Sequence, residues 1–235
     1  MDKPPNFIDY LAAGYGLEQG VFQRRVDTTL RYAGLYILGY EMIKASVVDN
    51  TRFFFCHGQP PTKRYQDKVL ARGPKRKTDR EAIACLLWLK EAGGINDDEQ
   101  QEIQQIRLHR NKLAHELPKV AFGHFHEEGG VDLDLLHRVP VLLDKIERFW
   151  VGIEMDVDGQ EHEQEDYDNA VMLSSIVFAG IYYETTGRMP TLPDYWEKAL
   201  EGGQYTDVEL EMARAVSREM AKMRPSRSDE DGGED

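Results

Sequence analysis

Residues 107–117, Arg-Leu-His-Arg-Asn-Lys-Leu-Ala-His-Glu-Leu, crowd groups suited to chemistry into a segment that otherwise patterns as a helix. Leu108, Leu113 and Leu117 can supply an apolar stripe, and the remaining positions are almost all polar. Histidine titrates near neutral pH and can accept or deliver a proton. Arginine presents a planar fork of donors that matches the oxygens of a phosphate as charge builds on them. Arg110, Asn111 and His115 are therefore the candidate catalytic residues, in an Arg-Asn-x3-His arrangement. At roughly 100° per residue, Asn111 and His115 lie about 40° apart on a helix and can touch, whereas Arg110 and His115 lie about 140° apart. Arg110 and His115 can converge on one substrate in three ways: the long arginine reaches around, the helix breaks near Pro118, or a second copy completes the site. The plain alternative is structural. Arg110 then pairs with Glu116 or with an acid on a neighbouring helix, and His115 caps a helix C-terminus.

The elements that must position these residues read as helices. A proline-free pattern from about Leu17 to Val48 places Phe22, Val26, Leu30, Ala33, Ile37 and Tyr40 on one face at three- and four-residue steps. Residues 50–77 break it with Gly58, Pro60, Pro61, Gly73 and Pro74, which predicts a long basic loop with one short helix near Tyr65–Leu70. Thr78 and Glu81 form a capping box that opens a helix to about Ala92, ended by Gly93-Gly94. Its inner face is Ala82, Cys85, Leu86 and Leu89. Asn96 or Asp97 then caps the helix of the candidate site, which Pro118 is expected to stop at Leu117. A Gly/His-rich turn (Gly123–Gly130) leads to a helix over about 132–155, with Pro140 as a kink or a second start. The expected fold class is all-α, an antiparallel helical bundle over residues 17–156. A lead-in over 1–16 precedes it, a C-terminal helical extension over 157–223 follows it, and 224–235 read as a disordered acidic tail. Within the extension, residues 167–185 are apolar around so much of the helix that they are expected to be buried, in this bundle or against a second copy.

Composition narrows the function classes. The chain has 235 residues, 41% of them hydrophobic and 30% charged, with only two cysteines, Cys56 and Cys85, and no CxxC spacing. No apolar run reaches the length of a membrane span, and the first residues lack the pattern of a secretory signal. A cytoplasmic protein with no membrane attachment is the expectation. The net charge of -13 argues against general nucleic-acid binding, because a phosphate backbone would be repelled. The charge is uneven, however. Eight basic residues fall between Pro61 and Arg80, and eight acids with no Lys or Arg fall between Glu154 and Asp168. Within the basic stretch, Lys63, Arg64, Arg72, Lys75, Arg76 and Lys77 are candidate RNA contacts, with Tyr65 available to stack on a base. The same stretch also reads as a solvated loop or as a dock for an acidic partner.

The run Arg-Asn-Lys-Leu-Ala-His at 110–115, in an all-helical chain, resembles the HEPN superfamily, the higher-eukaryote and prokaryote nucleotide-binding helical bundles. The resemblance implies a metal-independent endoribonuclease of toxin or phage-defence type. His115 would be the acid/base, Arg110 the phosphate clamp and Asn111 the orienting group. It also implies a homodimer whose site forms where two protomers meet, with RNA as substrate and an antitoxin or regulatory protein as a further partner. Some relatives of this kind are inactive, so a non-catalytic dimerisation or interaction module is the second expectation, and the acidic body fits it well. A sensor that grips a phosphate without cleaving it is the third. No metal or cofactor is expected. His115, His124 and His126 match no zinc spacing, the Asp156-Val-Asp158-Gly stretch has its glycine misplaced for a calcium loop and Tyr167 where the glutamate would stand, and no phosphate-binding lysine loop exists. Trp150, Tyr182, Tyr183 and Trp196 read as core or interface aromatics.

Overall fold

A computed structural model describes residues 19–75, 79–122, 131–158 and 172–193. Among them the fold is all-α, with six α-helices and two short 3-10 turns. The helices are α1 (Gln19–Cys56), α2 (Lys63–Lys68), α3 (Arg80–Glu91), α4 (Asp97–Phe122), α5 (Val139–Asp158) and α6 (Leu173–Thr186). The 3-10 turns are Leu70–Arg72 and Asp134–Leu136. The lead-in, Thr78, the histidines at 124 and 126, the acidic stretch beyond Asp158, the C-terminal extension beyond residue 193 (with Trp196) and the tail lie outside the described residues.

The long helix α1 is the spine. Its buried face is Ala33, Tyr36, Tyr40, Ile43, Val47 and Thr51, in steps of three and four. Of the face expected from the sequence, Ala33 and Tyr40 are buried, whereas Leu30 and Ile37 are exposed, at 47% and 40%. The same three- and four-residue steps fit two neighbouring phases, and the phase carrying the bulky Tyr36 and Ile43 is the one that packs. α1 also continues through the expected break at residue 50. Phe54 and Phe55 lie there against Trp88, with ring centroids 5.8 and 5.3 Å away, and Trp88 stacks on Trp150 at 5.7 Å. This aromatic cluster joins α1, α3 and α5. The helix ends where His57 and Gly58 turn to φ of 48° and 76°.

The expected long basic loop is mostly ordered. Thr62 caps α2 by accepting the Tyr65 N–H at 3.1 Å, and Tyr65 is fully buried, its hydroxyl donating to Glu81 Oε1 at 2.7 Å. A base has no access to that ring, so the stacking role expected of Tyr65 is corrected. Gly93, at φ 87°, ends α3 as expected, and a side chain on Gly94 would collide with Leu89 and Phe149. Asn96 then caps α4 reciprocally with Glu99. The Glu99 N–H donates to Asn96 Oδ1 at 2.9 Å and the Asn96 N–H donates to Glu99 Oε2 at 2.7 Å.

α4 runs on to Phe122, so Pro118 does not stop it. The proline forgoes the one bond its missing N–H would make, while the turns on either side carry the helix through. Pro140, by contrast, sits in the first turn of α5, where an N–H has no intrahelical partner anyway. The Pro140 effect is thus a second start, after the 3-10 turn, and not a kink. α6 closes the bundle against α1 and α5. Phe178 and Tyr182 are buried in the common core, and Ser175 donates to the Pro140 carbonyl at 2.7 Å. One face of α6, Leu173, Val177 and Ile181, remains exposed, so the helix is not buried all round as its composition suggested.

Candidate functional site

α1 and α4 run antiparallel. Tyr40, Ile43 and Val47 of α1 share a small apolar recess with Ile103 and Arg107 of α4, and further along α4 Arg110 reaches Glu41. The α4 helix is held in place by Ile103, Ile106 and Leu113, all buried, which fixes the direction in which each polar neighbour points. Arg110 points towards α1. Its Nη2 donates to Glu41 Oε1 at 2.8 Å, its Nη1 donates to Asn111 Oδ1 at 3.1 Å, and its guanidinium lies 5.7 Å from the Tyr40 ring centroid. Its Nε is buried with no hydrogen-bond partner among the described residues. The second Glu41 oxygen accepts from Lys44 Nζ at 3.0 Å. Burial, reinforced by the nearby Asp79 carboxylate, pushes the Tyr40 hydroxyl up to about 12, so it remains a neutral phenol at any working pH.

His115 stands elsewhere on the same helix, exposed and without a hydrogen-bond partner among the described residues. Because α4 is unbroken from Asp97 to Phe122, no change of helix direction brings His115 round to Arg110. His115 is also more than a turn short of the helix end, so it does not cap it. The structure therefore brings Arg110 and Asn111 together and leaves His115 apart, one turn beyond Asn111. The acid on a neighbouring helix expected under the structural alternative is Glu41. Each half of the site is flanked by exposed apolar side chains. On α1, Leu30 and Ile37 lie within about 40° of Glu41 by helical geometry, and on α4 exposed Leu108 lies about 20° from His115.

The basic candidates are mixed. Lys63, Arg64 and Lys75 are exposed, with the Arg64 guanidinium 5.4 Å from the Phe55 ring centroid. Arg72 is engaged by Glu91 at 2.6 Å, so it is less free than the sequence suggested. Arg76 and Lys77 lie outside the described residues. The segment nonetheless ends near the site, since Asp79 pairs with Arg107, one turn before Arg110, at 3.2 Å.

Glu41 and Lys44 carry no motif in the sequence, and Tyr40 reads there only as part of the apolar face of the first helix. An i, i+3 Glu-Lys pair on a mostly apolar helix is the only local signal, and 69 residues separate Glu41 from Arg110. His109 was also passed over. Its ring packs on Tyr36 at 4.5 Å and its Nε2 accepts the Asp132 N–H at 3.3 Å. Burial lowers its pKa against the opposing pull of Asp132, so it is a neutral structural histidine. Among the described residues no group of three or more His, Cys, Asp or Glu is placed to hold a metal, and no helix is long and apolar enough to cross a membrane. Comparison with protein-family models, curated proteins and solved structures returns no match.

Proposed function

We propose that the chain is a metal-independent endoribonuclease of the toxin or defence type, similar to the HEPN superfamily, whose site is shared between two copies. The observation that carries this reading is the split of the candidate residues by one continuous helix. Arg110 and Asn111 face α1, His115 stands on open surface, and exposed apolar residues border both halves. A second copy that covers Leu30 and Ile37 with the Leu108 face would bring its own His115 towards Arg110. The chemistry is then balanced and needs no metal. His115 takes the proton of the ribose 2′-hydroxyl, and that oxygen attacks the adjacent phosphorus. Arg110 stabilises the charge gathering on the non-bridging oxygens, and the 5′-oxygen leaves with the proton that the protonated His115 gives up. The products are a 2′,3′-cyclic phosphate and a 5′-hydroxyl.

The test is cleavage of RNA in excess chelator by wild type, His115→Ala and Arg110→Ala. Loss of each group is expected to slow cleavage by roughly 10²–10⁴-fold. Mixing the two dead variants is expected to restore activity, because each mixed dimer holds one site with an intact arginine and an intact histidine. Restoration in neither the mixture nor any co-expressed pair would exclude the shared site. A second reading, a non-catalytic interaction module, is favoured by the Arg110–Glu41 ion pair, which gives the arginine a purely structural occupation. Equal background cleavage in all three folded proteins would make it the better one.

A further inference from the structure

Arg110 and a lysine of α1 meet on a single carboxylate. Arg110 holds one Glu41 oxygen and Lys44 holds the other. Two donors that can share one carboxylate are spaced to share one phosphate, whose oxygens form a comparable fork. The members of this trio differ in how firmly they are held. Arg110 is 28% exposed and tied to Asn111 and Tyr40 independently of Glu41. Glu41 is 39% exposed, with no partner among the described residues beyond the two cations. A carboxylate so placed can swing into water at small cost, since ion pairs at this exposure are weak and screened by salt. With Glu41 in place the trio carries one net positive charge, and with Glu41 displaced Lys44 and Arg110 leave two uncompensated charges side by side.

We propose that Lys44 and Arg110 form a seat for one backbone phosphate of RNA, and that Glu41 occupies this seat when RNA is absent. Glu41 is then a built-in competitor that a substrate must displace, and Lys44 is a second phosphate-binding residue beside Arg110. This rests on the nuclease reading for its ligand but concerns binding, so the two fail separately. It also accounts for an acidic chain handling RNA. A competing carboxylate weakens every phosphate contact at this seat by the modest amount that an exposed ion pair contributes.

The experiment uses the full chain and an RNA oligonucleotide methylated at every 2′-oxygen, which can bind but cannot be cleaved. Affinity is followed by fluorescence anisotropy over a range of salt for wild type, Glu41→Gln, Lys44→Gln and the double variant. Glu41→Gln is expected to bind about fivefold tighter, and Lys44→Gln to bind more weakly. Lys44→Gln should also show a salt slope shallower by about one. The double variant should return close to wild type. Unchanged or weaker binding by Glu41→Gln overturns the competitor, as does binding by none of the four proteins. If Glu41 only braces the helices, its variant melts lower while affinity and salt slope stay put, which also overturns it. Tighter binding by Glu41→Gln, with no cleavage of ordinary RNA by wild type, would leave the seat standing and remove the nuclease.

Discussion

His109 immediately precedes Arg110 and does a different job. Its unprotonated Nε2 accepts the Asp132 N–H, while Tyr36 donates its hydroxyl to the Asp132 carbonyl, so the backbone of this one residue is held on both sides. A proton on Nε2 would set donor against donor. The folded-state pKa lies below the unfolded value of about 6.5, so the unfolded chain binds more protons between the two. The stability contributed by this contact is present above about pH 6.5 and is lost as pH falls through the lower, folded value. Urea midpoints of wild type and His109→Gln, compared from pH 8 to 5, are expected to converge as the pH drops. A constant gap would exclude the linkage. At the same scale, Tyr65→Phe removes the hydroxyl shared between Glu81 and Cys85 and is expected to cost about 1–2 kcal/mol, read from the same midpoints. That variant also tests Glu81. Burial opposes its ionisation, but hydrogen bonds from Arg52 and Tyr65 outweigh burial and hold its carboxyl below the usual range. The motif residues were legible because they lie within six positions of one another. Glu41 was not, since only packing brings it to Arg110.

Helix ends written in local chemistry were readable, and ends decided by packing were not. Gly93-Gly94 and the Asn96–Glu99 box mark the boundary between α3 and α4 because a left-handed glycine and a reciprocal cap are short-range devices. The end of α1 was misplaced by several residues, because Thr51–Cys56 stay helical by burying Phe54 and Phe55 on Trp88, whose position no local signal gives. Pro118 misled in the opposite direction. A proline is a strong stop only where nothing else holds the helix, and α4 is anchored by Leu113 little more than a turn earlier. The cap supplies a clean test at this scale. Asn96→Ala strips the acceptor from the Glu99 N–H and is expected to lower stability by about 1 kcal/mol, whereas Asn96→Asp should stay close to wild type. Equal losses in the two would mean that the side-chain acceptor at residue 96 does not carry the energy, since Asp keeps that acceptor and Ala does not.

Across the whole molecule, the closing helix decides whether the bundle around the site is rigid. α6 meets α1 where Gly39 admits the Phe178 ring. A Cβ at residue 39 would lie 2.9 Å from that ring, and Phe178 is fully buried. The opposite face, Leu173, Val177 and Ile181, is open. Apolar composition around the helix could not distinguish the two faces, because both are equally hydrophobic. The fold distinguishes them through Gly39, whose missing side chain leaves room for the ring. Substitutions on the two faces should therefore differ sharply. Phe178→Ala empties a core site and is expected to cost about 3–5 kcal/mol. Gly39→Ala gains helix propensity but forces the ring aside, for a net loss of about 1–3 kcal/mol. Val177→Ser should stay within about 0.5 kcal/mol, because its side chain already meets solvent. Chemical denaturation of the three variants settles the matter. If Val177→Ser were as damaging as Phe178→Ala, the open face would have to be covered in solution, and a second copy of the chain would be the first candidate to cover it. If Gly39→Ala were stabilising, α6 would not be seated on α1, and the helix that carries Glu41 and Lys44 would lack its support on that side.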